Sequence, residues 1–130
     1  MQPDVTEPAI PHFVPTPDGR FSLSRLTEEL RATSLFESTG QAARTLVKRR
    51  ELTVVLVLLR ADAVLHEHRV AQPVSIQAVS GRATLRLGAA SSELVAGDLQ
   101  ILAPGAEHDV EAREETALLI TIPAPGHPQS

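Results

Sequence analysis

From about residue 43 to residue 122 the chain breaks into short apolar or alternating runs, separated every eight to twelve residues or so by Gly, Pro, Asp or a charged pair. Runs of that length suit strands of roughly four to eight residues and are too short for most helices. The cadence predicts an all-β sandwich or barrel and argues against strand–helix–strand units. Strands are predicted near 43–49, 52–60, 63–70, 73–80, 82–87, 91–95, 98–103, 107–112 and 116–122. Period two is clearest in Arg82-Ala-Thr-Leu-Arg-Leu87, where Ala83, Leu85 and Leu87 are expected to face inward and Arg82, Thr84 and Arg86 outward. Val54 to Leu59 is apolar on both faces, so its outer face also needs cover, from a helix or from a second copy of the chain.

A chain of 130 residues can bury one core but not two independent ones. Aromatic residues are 2% of the composition, so that core is expected to be aliphatic. Ahead of the strands, Leu23, Leu26 and Leu30 recur at helical spacing behind Ser22 and Ser24, either of which can cap. One short amphipathic helix ending near Thr33 is predicted. Five of the ten prolines fall in residues 1–17 and three in the last eight, which removes amide donors from both ends. Residues 1–20 are therefore expected to form an extended arm, 21–123 the barrel domain with its leading helix, and 124–130 a Pro-rich tail.

The formal charge of −4 excludes a broadly basic nucleic-acid surface, and Lys48-Arg49-Arg50 is read as a solvated strand end. With no cysteine there is no disulfide, thiolate ligand or thiol nucleophile, which fits a reducing cytoplasm. Residues 1–17 lack the basic start and apolar run of a signal peptide, and the run Val54 to Leu59 is too short to cross a bilayer. A soluble cytoplasmic protein without nucleic-acid or membrane partners is expected.

The residues able to carry chemistry lie in two islands, His66-Glu67-His68 and Gly97-Asp98 through Pro104-Gly105 to His108, which hold three of the five histidines. On one strand His66 and His68 share a face and Glu67 takes the other. Pro104-Gly105 suits the centre of a type II turn, and Gly81 and Gly97-Asp98 suit strand-connecting corners. His12 and His127 lie in the Pro-rich ends and are read as exposed. No serine sits in a nucleophile elbow, and the pairs Glu28-Glu29 and Glu114-Glu115 read as solvated surface.

From Ala43 to Pro123 these residues resemble the cupin superfamily of small jelly-roll barrels, and the whole chain resembles a bacterial subgroup of single-domain cupins of largely unassigned function. The family's second motif runs Gly, five residues, Pro, one residue, Gly, two residues, His, three residues, Asn. Gly97, Gly105 and His108 match it in spacing, Ala103 replaces the Pro with Pro104 following, and Ala112 replaces the Asn. The first motif runs Gly, five residues, His-x-His, three or four residues, Glu, six residues, Gly. Two registers compete for it. One takes His66 and His68 as the histidine pair, leaving Arg60 at the Gly, Gln72 or Pro73 at the Glu, and too long a distance to Gly81. The other counts back from Gly81 and places Val74 at the Glu, Val70 and His68 at the histidines, and Asp62 at the leading Gly, with every spacing satisfied.

The resemblance implies a barrel interior lined by Val70, Val74, Ile76 and Ala78 beside His68 and His108, an aliphatic lining that suits a small ligand. His66, His68 and His108, with Gln72, are candidate ligands for one divalent Zn, Fe, Mn or Ni ion; the competing reading makes the histidines polar lining residues. Two functions follow. The first is a small-molecule or sensory binding module with a degenerate metal site. The second is a metal-dependent enzyme of dioxygenase or isomerase type, acting on a small, partly apolar organic acid or carbonyl compound. A homodimer is expected, because the two-faced apolar strand and the N-terminal arm both need cover.

Overall fold

The computed structural model describes residues 19–67 and 71–123. The chain starts with two short helices, α1 (Leu23–Arg31) and α2 (Ser34–Thr39). Ser22 caps α1 by accepting a hydrogen bond from the Arg25 amide, and Thr33 caps α2 in the same way through the Phe36 amide. Gly40, at φ 77°, ends α2 in the left-handed conformation. The leucine spacing predicts only the first helix. The second has six residues, too few for an apolar period to show, and is marked in the sequence only by its Thr cap and Gly stop.

Nine strands follow: β1 (Gln41–Lys48), β2 (Leu52–Leu59), β3 (Val64–Glu67), β4 (Val74–Ser80), β5 (Arg82–Leu87), β6 (Ala90–Val95), β7 (Leu99–Leu102), β8 (His108–Ala112) and β9 (Thr116–Pro123). Each overlaps a strand expected from the sequence. They form two antiparallel sheets, one ordered β1-β2-β9-β4-β7 and the other β3-β8-β5-β6. This is the all-β double-sheet barrel that the cadence predicts.

Two cores divide the apolar residues. The inter-sheet core contains Val57, Leu59, Ile76, Ala78, Ala83, Leu85, Val110, Ala112, Leu118 and their neighbours. The second core lies outside the larger sheet, where Leu30 and Phe36 from the helices pack on Ala42, Leu56, Leu58 and Ala117. Alternation sends Leu56 and Leu58 outward while Val57 and Leu59 point inward, which is why β2 reads as apolar on both faces. The cover it demands comes from the helices of the same chain. Arg31 adds a polar tie, pairing with Glu28 on its own helix and with Glu115 in the β8–β9 turn.

Gly81 closes the tight β4–β5 connection at φ 85°, and a Cβ there would strike the Glu115 carbonyl and Thr116. The buried Thr116 hydroxyl bonds to the Arg82 amide and lies within hydrogen-bond distance of the Arg82 and Glu114 carbonyls, which locks this turn to the next hairpin.

Candidate functional site

The second island builds one end of the barrel. The Ala106 amide donates to the Ala103 carbonyl across Pro104-Gly105, and Gly105 has φ 78°, the conformation that the third position of a type II turn requires. At the preceding corner Gly97 has φ 97°, and the Asp98 carboxylate accepts the Val95 amide. Gly97 and Asp98 are also tied to Ala78 of β4 by backbone hydrogen bonds, so the corner is held to the larger sheet. These two turns deliver His108 as the first residue of β8.

His108 is 6% exposed, and it alternates with Val110 and Ala112 on the inward face of β8. Its Nδ1 lies 3.4 Å from the Ala106 carbonyl oxygen. Its Nε2 is buried and has no hydrogen-bond partner among the described residues. A buried polar atom without a partner carries a desolvation cost of about 1–3 kcal/mol, so a side chain placed this way is a poor choice for packing alone.

The first island divides between the two faces of the smaller sheet. His66 pairs with Asp109, and Glu67 is the register partner of His108. Leu65 packs against the inter-sheet core, so its neighbour His66 projects outward, where it is exposed. Strand alternation puts the side chains of His66 and His108 on opposite faces of the β3–β8 pair, although both residues border one depression at this end of the barrel. Among the described residues, no group of three or more His, Asp or Glu side chains gathers where an ion could be held. His68 and Val70 lie outside the described residues, as do His12 and His127. Gln72 is half-buried in the bend before β4.

Val74, Ile76 and Ala78 are buried on the inward face of β4. Asp62 is the one described non-glycine residue with a positive φ, at 74°. L-residues avoid that region, so the position is one that glycine would fill at least cost. It is also the position where the register counted back from Gly81 puts the leading glycine of the first motif. That register assigns Val74 to the glutamate position, and an alkyl side chain ligates nothing.

Two open depressions lie at this end of the barrel, and His108 itself lines the second. One, of about 490 Å³, is lined by Leu87, Ile101, Leu102, Ala103, Ala106 and Glu107. The other, of about 390 Å³, is lined by His66, Arg86, Gly88, Glu107, His108 and Asp109. Leu87 lies directly across from His108 on the same face of the β5–β8 pair, which places the imidazole next to the wall of the apolar depression.

The outward side chains of β5 and β8 form a charge ladder that sequence reasoning missed. Arg86 bonds to Asp109 at 3.2 Å and to Glu111 at 2.5 Å, and Arg113 reaches the second Glu111 oxygen at 3.5 Å. Hydrogen bonding to Arg86 holds the Glu111 carboxyl below the usual carboxylate range, and the same contacts raise the Arg86 pKa. The alternation of Arg82-Ala-Thr-Leu-Arg-Leu87 shows that Arg86 faces out, but only the cross-strand register shows which acids it meets.

No protein-family model matches the chain, and no curated protein matches it. Solved structures do. A cupin superfamily protein from Desulfitobacterium hafniense superposes with a TM-score of 0.64 at 11% identity, covering 67% of this chain and 80% of the other. A salicylate 1,2-dioxygenase from Pseudaminobacter salicylatoxidans gives 0.68 at 17% identity, over 75% of this chain and 33% of the dioxygenase. The cupin domain of an XRE-family transcriptional regulator from Enterobacter cloacae gives 0.62 at 10% identity, over 68% of this chain and all of that domain (100%). The architecture, the turn geometry and these superpositions agree: the chain has the cupin fold.

Proposed function

We propose that this cupin-fold chain is a small-molecule binding module whose pocket lies at the His108 end of the barrel and whose metal site is degenerate. The observation that carries this reading is the buried Nε2 of His108, which has no partner among the described residues and belongs to a residue that lines one open depression and neighbours another. A buried polar group without a protein partner calls for a functional or solvent partner, and a bound ligand supplies one. Val74, Ile76 and Ala78 are buried in the inter-sheet core and, with Val70, make up the proposed aliphatic lining. The fold itself is neutral on this point, since similar structures include both a dioxygenase and a regulator domain.

The second reading, a metal-dependent enzyme of dioxygenase or isomerase type, draws on the same imidazole, because an unpartnered nitrogen is a ligand as well as an acceptor. The described residues do not fit an ion. His66 faces away, the register counted back from Gly81 assigns Val74 to the glutamate position of the first motif, and His108 belongs to no group of three ligating side chains among the described residues. In this reading His68 and Gln72 would have to complete the set.

One experiment separates the two. Elemental analysis of the untagged full chain, run beside thermal-shift screening against small organic molecules, is expected to show ligand stabilisation with substoichiometric metal. Near-stoichiometric Fe, Mn, Ni or Zn that is lost in His108→Ala would overturn the module in favour of the enzyme. The homodimer and the cytoplasmic location remain proposals from the sequence. No helix among the described residues is long and apolar enough to cross a membrane.

A further inference from the structure

The hydrogen-bond geometry of His108 limits what its free nitrogen can bind. Nδ1 lies 3.4 Å from the Ala106 carbonyl oxygen, which only accepts, so a hydrogen bond between them places the ring proton on Nδ1. In the neutral imidazole this leaves Nε2 with its lone pair, an acceptor that requires a donor. A ketone, an ester or a carboxylate presents only acceptor atoms to it.

The surroundings narrow the class again. The larger depression is walled by Leu87, Ile101, Leu102, Ala103 and Ala106, and its one charged lining residue, Glu107, is acidic. No lysine or arginine among the described residues lines it. Arg86 lines the neighbouring depression, but its guanidinium already serves Asp109 and Glu111 on the outer face. A carboxylate moved against that apolar wall would lose its water, and it has no proton to donate to Nε2.

The geometry points to a neutral, hydroxyl-bearing apolar molecule of the alcohol or phenol class as the ligand, its carbon skeleton against the apolar wall and its O–H donated to His108 Nε2. This rests on the small-molecule reading above and narrows it, replacing the organic acid or carbonyl compound expected from the sequence. Because Nε2 is shielded from solvent, binding involves a rotamer change in the wall, an ordinary event at ligand sites.

The test uses the full chain labelled with ¹⁵N and three probes of similar size, namely phenol, anisole and benzoate. Long-range ¹H–¹⁵N correlation NMR, with His108 assigned from the spectrum of His108→Phe, reports the tautomer directly. The expected result is a proton on Nδ1 and saturable phenol binding that moves the Nε2 resonance. Phenol should bind roughly tenfold more tightly than anisole, the size of one buried hydrogen bond, with benzoate weaker still. In His108→Phe the phenol-to-anisole ratio should fall to about one. A proton on Nε2 in the unsubstituted chain, or benzoate or anisole binding as tightly as phenol, overturns the ligand class while the small-molecule reading stands. If none of the three probes moves the His108 resonances, both fail.

Discussion

At the residue scale, the two positions that say most about this barrel each break a local rule. His108 keeps a buried nitrogen without a partner among the described residues, which a side chain selected for packing would avoid. His108→Leu is therefore expected to raise stability by about 1 kcal/mol in urea unfolding, because the desolvation cost of Nε2 disappears while the volume stays filled. The same variant should lose the hydroxyl-dependent ligand binding. A loss of stability beyond about 2 kcal/mol would make His108 a structural residue. Gly81 breaks the rule of the right-handed backbone and has no room for a Cβ against the Glu115 carbonyl. Gly81→Ala should cost at least about 2 kcal/mol, from left-handed strain and the displaced hairpin together, again read by urea unfolding. Asp62 makes the complementary point: a charged residue holds a left-handed position, the conformation that the register counted back from Gly81 expects of a leading glycine.

At the scale of elements, the helices exist because β2 needs them. Leu56 and Leu58 stay dry only under Leu30 and Phe36, so Phe36→Ala is expected to cost about 3 kcal/mol. Thermal unfolding should show the loss even though no site residue is touched. The β5–β8 pair carries the pH dependence. Glu111 is held below the usual carboxylate range chiefly by Arg86, so its contribution to stability is present above the unfolded carboxylate pKa of about 4.3 and is lost as pH falls through the lower folded value. The midpoint of denaturant unfolding should therefore fall between about pH 5 and pH 3 more steeply in the parent than in Glu111→Gln. Equal slopes would show that the ladder contributes nothing. The strands were legible because period two and turn residues are local signals. The charge ladder and the division of the first histidine island were not, because both depend on which strand lies alongside and in what register.

At the scale of the whole molecule, the expected homodimer loses one of its two supports. The outer face of β2 is covered from within the chain, and the N-terminal arm lies outside the described residues. The most exposed large apolar side chains among the described residues include Leu99 at 60% and Ile101 at 59%, on β7 at the open edge of the larger sheet. A homodimer should bury these two side chains, so Ile101→Lys is expected to shift sedimentation from dimer to monomer; a parent chain that is monomeric at every concentration removes the homodimer. By itself the sequence determined the class of fold, the nine strands, the turn that carries His108 and the resemblance to cupins, because alternation, turn chemistry and motif spacing all act over a few neighbouring residues. Only the tertiary structure decided that His66 and His108 face opposite ways, that Asp62 takes a left-handed conformation, and that His108 buries a nitrogen with no partner among the described residues. Those outcomes belong to strand pairing and burial, which join residues about 40 positions apart along the chain through hydrogen bonds and packing that no local pattern encodes.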